Sequence, residues 1–234
     1  MCKIVVIFNA IYFLVFFQKY IVLNKIMSES IVSFNDDNTA IWLAFKAGDW
    51  EAYKKLYNDY FKMLNNYGYK FTRDVNIIED AVHDLFIKLW TNRATLGTPV
   101  SIKNYLYKSL RNAIFRKMQS QSRFVDLADE PDYSFSVELS FDHQIIANEE
   151  ERELQLKLKT VIKNLPARQQ EIIFLRFYEG LGYDAIADIM EINTSSAYKL
   201  LYKAFNNLQT ALKTTKLVIF LSLYSCLGTN IHLK

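Results

Sequence analysis

Proline and glycine are scarce, three and six residues in 234, so little loop is expected within the folded parts. Long helices with short connections are expected instead. Cysteine is nearly missing. Cys2 and Cys226 lie near opposite ends, so no disulfide framework is suggested and a reducing cytosol is the default. The three histidines, His83, His143 and His232, are too far apart for metal-ligand spacing, so no metal is expected. There is no Gly-rich phosphate loop and no nucleophile elbow. No cofactor and no catalytic residue are assigned, and the chain is read as a non-enzyme.

What is present is a hydrophobic fraction of 51%, enough for real cores, and a segregated charge. Residues 119–153 hold ten acids against Arg123 and Arg152, a net of −8. The rest of the chain carries +11, within an overall +3. A basic body joined through an acidic connector suggests a polyanion partner for the body.

The most informative stretch is Leu165 to Leu212. Pro166 suits the first position of a helix, and apolar residues follow at Ile172, Ile173, Leu175 and Phe177, with Gly180 as a stop. A short helix over Tyr183–Met190 follows, with Ile186, Ala187 and Met190 on one face. Glu191-Ile192-Asn193 makes a tight turn, and Thr194 or Ser195 is placed to cap a third, longer helix. Short helix, tight turn, long helix is the spacing of a helix-turn-helix. In the third helix Ala197, Leu201, Ala204 and Leu208 form the inward stripe. Ser195, Ser196, Tyr198, Lys199, Tyr202 and Lys203 lie off it. Small hydroxyls can enter a major groove and lysines can reach phosphate. A solvated face on an ordinary helix pair is the competing reading.

Further upstream, residues 1–26 are a hydrophobic leader: Ile4–Phe17 is a nearly unbroken apolar run, interrupted by Asn9, and Gln18 and Lys19 break it before Tyr20–Leu23, so it is borderline for a bilayer span. Membrane anchor, signal peptide and an extension from a mis-assigned start compete. The last is favoured, because Met27 opens a polar stretch that looks like an ordinary N-terminus. Ile41–Phe71 reads as two aromatic-rich helices broken at Gly48-Asp49, with Asp49 as the cap of the second. Asn76–Arg93 is amphipathic, with Ile77, Ile78, Ala81, Val82, Leu85, Phe86, Leu89 and Trp90 inward. Glu79, Asp80, His83, Asp84 and Ile87 face outward, an acidic surface able to dock a basic partner. Ala94–Val100 is a loop, and Ser101 caps a helix over 102–118 that has five bases and no acid. Its bases neutralise phosphate, and its interleaved aromatics can stack on unpaired bases. Residues 119–153 form the acidic linker. The tail, 214–234, holds an apolar run, Leu217–Leu227, too short to span a membrane. The fold class is therefore all-α: two small helical domains, 38–118 and 154–213, joined by an acidic linker, with a helix-turn-helix in the second.

In this order the motifs bring a resemblance to RNA polymerase sigma factors of the sigma-70 family, in the small extracytoplasmic-function group. EDAVHDLFIKLW resembles the helix that docks core RNA polymerase. This implies polymerase contacts at Glu79, Asp80, His83, Asp84 and Ile87. IKNYLYKSLRNAIFRK resembles the segment that opens and reads the −10 promoter element, which implies DNA contacts at Lys103, Tyr105, Tyr107, Lys108, Arg111, Asn112 and Arg116. LPARQQEIIFLRFYEGLGYDAIADIM with SSAYKLLYKAFNNL resembles the −35 reading domain, with Ser195, Ser196, Tyr198, Lys199, Tyr202 and Lys203 as its DNA contacts. The resemblance implies core RNA polymerase and promoter DNA as partners, an anti-sigma factor, often membrane-bound, as regulator, and a linker that threads toward the polymerase active site or RNA exit path. Departures are His83 at a usual Gln, Gly182 at a usual Ser or Thr cap, and Tyr198 and Leu200 at commonly basic or polar positions, so base specificity does not transfer. Two other classes remain: a helix-turn-helix regulator that binds duplex DNA without polymerase, and a membrane-anchored helical adaptor resting on residues 1–23.

If Met27 is the true first residue, mass spectrometry of the native protein should find no peptide upstream of it. A peptide from Ile4–Lys19, with the protein in the membrane fraction, would establish an anchor instead.

Overall fold

The computed structural model describes residues 39–121, 133–137 and 149–213. The leader, the tail and most of the acidic linker lie outside these residues. All regular structure among the described residues is helical: α1 (39–46), α2 (Trp50–Phe71), α3 (Val75–Asn92), α4 (Ile102–Gln121), α5 (Glu149–Lys163), α6 (Ala167–Ile173), α7 (Tyr183–Met190) and α8 (Thr194–Leu212). A five-residue π turn, Phe174–Tyr178, continues α6. No described helix is long and apolar enough to cross a membrane.

Two compact units form. Among the described residues, 39–56 with Trp90–Ile102 make one; Tyr57–Leu89 and those between Lys103 and Lys213 make the other. The first is built on aromatic rings. Trp42 and Phe45 are fully buried, and the Trp42 indole N–H donates to the Gly97 carbonyl at 3.0 Å. The half-buried Trp90 ring lies 4.9 Å from Tyr53 and edge-on to Trp50 at 5.3 Å, with the Arg93 guanidinium over it at 4.4 Å. Gly48 turns the chain at φ 93°, and the Asp49 carboxylate accepts from the N–H groups of Glu51 and Ala52, the expected cap.

In the second unit, Ile77, Ile78, Ala81, Val82, Leu85, Phe86 and Leu89 of α3 are all buried, as the periodicity requires. They meet Leu64, Tyr67 and Phe71 of α2 and Leu106, Tyr107, Leu110 and Ile114 of α4 in one apolar interior. Trp90, expected in the same stripe, is only half-buried and packs on Trp50 and Tyr53 instead. Asp74 caps α3, accepting from Asn76 and Ile77 N–H, a role the sequence reading did not assign. In the C-terminal helices, Ile172, Ile173, Phe174, Leu175, Ile186, Ile189 and Met190 close over Ala197, Leu201, Ala204 and Leu208.

Local expectations need several corrections. Pro166 is the N-cap of α6 in extended backbone rather than its first helical residue. Asn193, not Thr194 or Ser195, caps α8. Its side chain accepts from Ser196 N–H at 2.7 Å, while the Thr194 hydroxyl is directed to Asp184 at 2.9 Å. Asn ranks with the strongest caps, so the competition was decided one residue earlier than read. α4 runs to Gln121 and α5 starts at Glu149, both inside the stretch read as linker. Gly182 leaves α7 without a side-chain cap, as its missing hydroxyl dictates.

At Gly68, α2 approaches α3 closely. A Cβ there would stand 2.6 Å from Ile78 Cγ2. Alanine in a helix interior normally gains about 1 kcal/mol over glycine. Here the β-branched, fully buried Ile78 has little freedom to retreat. Gly68→Ala should therefore destabilise by about 1–3 kcal/mol, the usual cost of overpacking. Urea denaturation followed by circular dichroism measures it.

Candidate nucleic-acid interface

α8 presents the clearest surface. With its inward stripe buried, Ser195, Tyr198, Lys199, Tyr202 and Lys203 are exposed and Ser196 is half-buried. The helix start is held by Glu191, left-handed at φ 55°, which ends α7. The N–H of Ile192 returns to the Ala187 carbonyl at 2.9 Å. This fixes the turn between the two helices. The Tyr198 ring stacks on Tyr183 at 3.7 Å, with the Arg176 guanidinium 5.1 Å from the other ring. The Tyr198 ring thus lies against Tyr183 with much of its surface open to solvent.

The seven residues expected on α4 divide into groups. Arg116 is exposed, its Nε–H donating to the Asn112 carbonyl, and Tyr105 is half-buried. Lys103 pairs with Glu179 at 2.8 Å, Lys108 with Asp188 at 2.6 Å, and Asn112 donates to Glu191 at 2.8 Å. Tyr107 and Arg111 are buried. Tyr107 stands edge-on to Tyr67 at 4.5 Å. Arg111 donates through Nε and Nη2 to the two carboxylate oxygens of Glu171, at 2.8 and 3.2 Å.

Glu171 is the centre of this arrangement and is fully buried. Its carboxylate also accepts from the hydroxyl of Tyr67, at 2.8 Å, and from that of Tyr133. Burial works against the Arg111 charge, but the adjacent carboxylate outweighs it and holds the guanidinium pKa above its ordinary value. Burial first, and the Glu171 charge second, raise both phenols, Tyr67 and Tyr133, above theirs. Tyr133 belongs to a linker segment, 133–137, whose Tyr133, Phe135 and Val137 are buried. Sequence reasoning missed Glu171, Tyr67 and Tyr133. A signal was there: Tyr133, Phe135 and Val137 alternate with Ser134 and Ser136, the period-two pattern of an extended segment with one side buried.

On α3, Glu79, Asp80, His83 and Ile87 are exposed and Asp84 is half-buried. The Lys117 ammonium bonds Asp84 at 2.8 Å and reaches Asp80 at 4.0 Å. That hydrogen bond, with the charge behind it, lowers the Asp84 pKa. His83 lies beside the rings of Tyr57 and Phe61.

The family model for sigma-70 region 2 matches residues 56–124, and that for sigma-70 region 4 matches residues 155–208. The chain is 32% identical over 127 residues to the RNA polymerase sigma factor SigV of Bacillus subtilis (strain 168), covering 53% of this chain and 69% of SigV. The chain belongs to the sigma-70 family of RNA polymerase sigma factors. A probable RNA polymerase sigma factor of Haemophilus influenzae is 25% identical over 154 residues, 58% of this chain and 77% of that protein. Among solved structures, the sigma factor RpoE of Bartonella quintana, in complex with the anti-sigma factor NepR, is similar at 22% identity and a TM-score of 0.48, covering 69% of this chain and 96% of that one. As a sigma factor, the chain directs promoter-specific transcription initiation with RNA polymerase. α2 to α4 carry region 2, and α5 to α8 carry region 4.

The phenols at Glu171 give this sigma factor an alkaline limit. A group whose pKa is raised on folding contributes its full stability below the free value, about 10 for tyrosine, and loses it as pH rises through the folded value. Stability should fall once pH exceeds about 10. Tyr133→Phe should cost about 1–3 kcal/mol at neutral pH by removing a donor from a buried carboxylate, yet lose less between neutral and alkaline pH than the native chain. Urea denaturation at both pH values compares the two losses.

Proposed function

We propose that the three surfaces divide the work of initiation. The exposed face of α8 reads the −35 element in the major groove. Ser195 and Ser196 lie nearest its N-terminal end, Tyr198 and Tyr202 supply apolar contact, and Lys199 and Lys203 hold phosphates. The 91–117 segment, with Tyr105, Lys108, Asn112 and Arg116 in its helix, engages the unpaired strand at −10, where bases stack on aromatic faces. Glu79, Asp80, His83, Asp84 and Ile87 on α3 dock core RNA polymerase. In this reading the chain supplies no catalytic group and works in the cytoplasm beside polymerase. A partner like the NepR of the Bartonella complex fits as its regulator, an anti-sigma factor competing for one of these surfaces.

The observation that carries this reading is the two-sided character of α8. Ala197, Leu201, Ala204 and Leu208 are buried, while the opposite side offers two lysines and two tyrosines to solvent, Tyr198 at 53% and Tyr202 at 62% exposure. Tyrosines that open to water on a helix whose start is fixed by a strong cap are arranged for contact rather than for the core.

Lys199→Ala should weaken capture of duplex promoter DNA and make its salt dependence shallower by about one unit of slope, as expected for one lost phosphate contact. A pre-melted bubble at −10 should not restore that capture. Filter binding across a salt series measures both. Asp84→Arg should weaken binding to core polymerase while changing stability by no more than about 1 kcal/mol, since a half-exposed ion pair contributes little. Unchanged affinity for core enzyme would remove α3 from the docking surface.

A further inference from the structure

Side chains from three elements meet beside the exposed strip of α8. Arg176 comes from the π turn after α6, Tyr183 opens α7, and Tyr198 lies in the second turn of α8. The Arg176 Nη1–H donates to the Leu181 carbonyl at 2.8 Å, and its guanidinium stands 5.1 Å from the centre of the Tyr183 ring. Tyr183 is half-buried. The Tyr198 ring lies on it, centres 3.7 Å apart and planes 25° from parallel. Two ring faces repel through their negative π clouds, and aromatic pairs usually meet offset or edge-on for that reason. A cation beside one ring draws on its cloud and offsets the repulsion. Turning Tyr198 about its first side-chain bond would break the stack, so the stack favours the rotamer seen. Ser195, Tyr198 and Tyr202 follow at i, i+3 and i+7, one strip along the exposed side of the helix.

We propose that Tyr198 reads the C5 methyl group of a thymine in the −35 element, and that Tyr183, backed by Arg176, is its positioning residue. This rests on reading α8 as the duplex-reading helix and names what one of its side chains recognises. Bases in a duplex are stacked on one another and offer a side chain their groove edges, not their faces. The thymine methyl is the apolar group on those edges in the major groove, and apolar side-chain surface is its match. The neighbours of Tyr198 suit other tasks: the Ser195 hydroxyl can hydrogen-bond a base edge, and Lys199 can hold a phosphate. A ring already held in one rotamer gives up less conformational freedom on contact, so the stack with Tyr183 favours the bound geometry in advance.

The experiment uses core RNA polymerase carrying the full-length chain. Duplexes captured from a pool with a randomised segment supply the probe. Each thymine of the captured −35 element is replaced in turn by uracil, which pairs alike but lacks the methyl. At one thymine the replacement should weaken capture by about four-fold, the value of one methyl lost from an apolar contact. Tyr198→Ala should abolish that difference, and Tyr198→Phe, which keeps the ring, should retain it. Tyr183→Leu keeps apolar bulk but removes the stack, and should shrink the difference to about two-fold or less. Tyr183→Phe should retain it, with circular dichroism as the check on folding. If Tyr183→Leu lowers capture of the thymine and uracil probes alike, Tyr183 is structural and its positioning role is overturned. If no thymine responds to uracil, or the response persists in Tyr198→Ala, the methyl reading is overturned. Lys199→Ala separates this from failure of the broader reading. A salt slope still lowered by that variant leaves α8 as the duplex reader, whereas an unchanged slope with no uracil response overturns the reading of α8 itself.

Discussion

A carboxylate withdrawn from water must find a donor for nearly every lone pair, and Glu171 finds four: two from Arg111 and one each from Tyr67 and Tyr133. The donors come from three separate stretches, α2, α4 and the linker, while the acceptor is on α6. No single helix pair could satisfy it. Removing one partner leaves a buried charge short of compensation, at about 3–5 kcal/mol for a broken buried pair. The arrangement is therefore complete or strongly disfavoured. Its neighbour Gln170 is used in the same way, accepting from Val137 and donating to Leu165 and Lys163 carbonyls. Two adjacent polar side chains on one short helix thus fix the linker segment, the α4 face and the start of region 4 together.

This explains which parts of the molecule were legible in the sequence. The buried stripe of α3 and that of α8 were read from spacing alone, because each follows from one helix presenting one side to an interior. The outward lysines and tyrosines of α8 followed by subtraction. Arg111 and Tyr107 were a different case. On a helix with five bases and no acid, their local pattern resembles that of Lys108 or Arg116. What separates them is Glu171, sixty residues away, and no periodicity within α4 reports it. The linker was hidden by its charge: net acidity outweighed the brief alternation at Tyr133, Phe135 and Val137. The cap of α8 was missed for a smaller reason, since Asn193, Thr194 and Ser195 are all competent and only the turn geometry set by Glu191 chooses among them.

The charge segregation also takes on a structural meaning. Lys103 and Lys108 are answered by acids of region 4, Glu179 and Asp188. The acids Asp184 and Asp188 of α7, and Glu191 at its C-cap, sit on the partner helix of the one that carries Lys199 and Lys203. α8 itself bears no acid. In this helix pair the negative charge thus lies on α7 and its C-cap, toward α4, and the positive charge on α8.

The most direct test of the central claim is transcription itself. Core RNA polymerase with the purified chain should be given fragmented genomic DNA from its own source, and the 5′ ends of the transcripts mapped. The account predicts discrete starts absent with core alone, sharing two short upstream sequence elements at fixed spacing. Transcripts no different from those of core enzyme alone, with or without the chain, would contradict it.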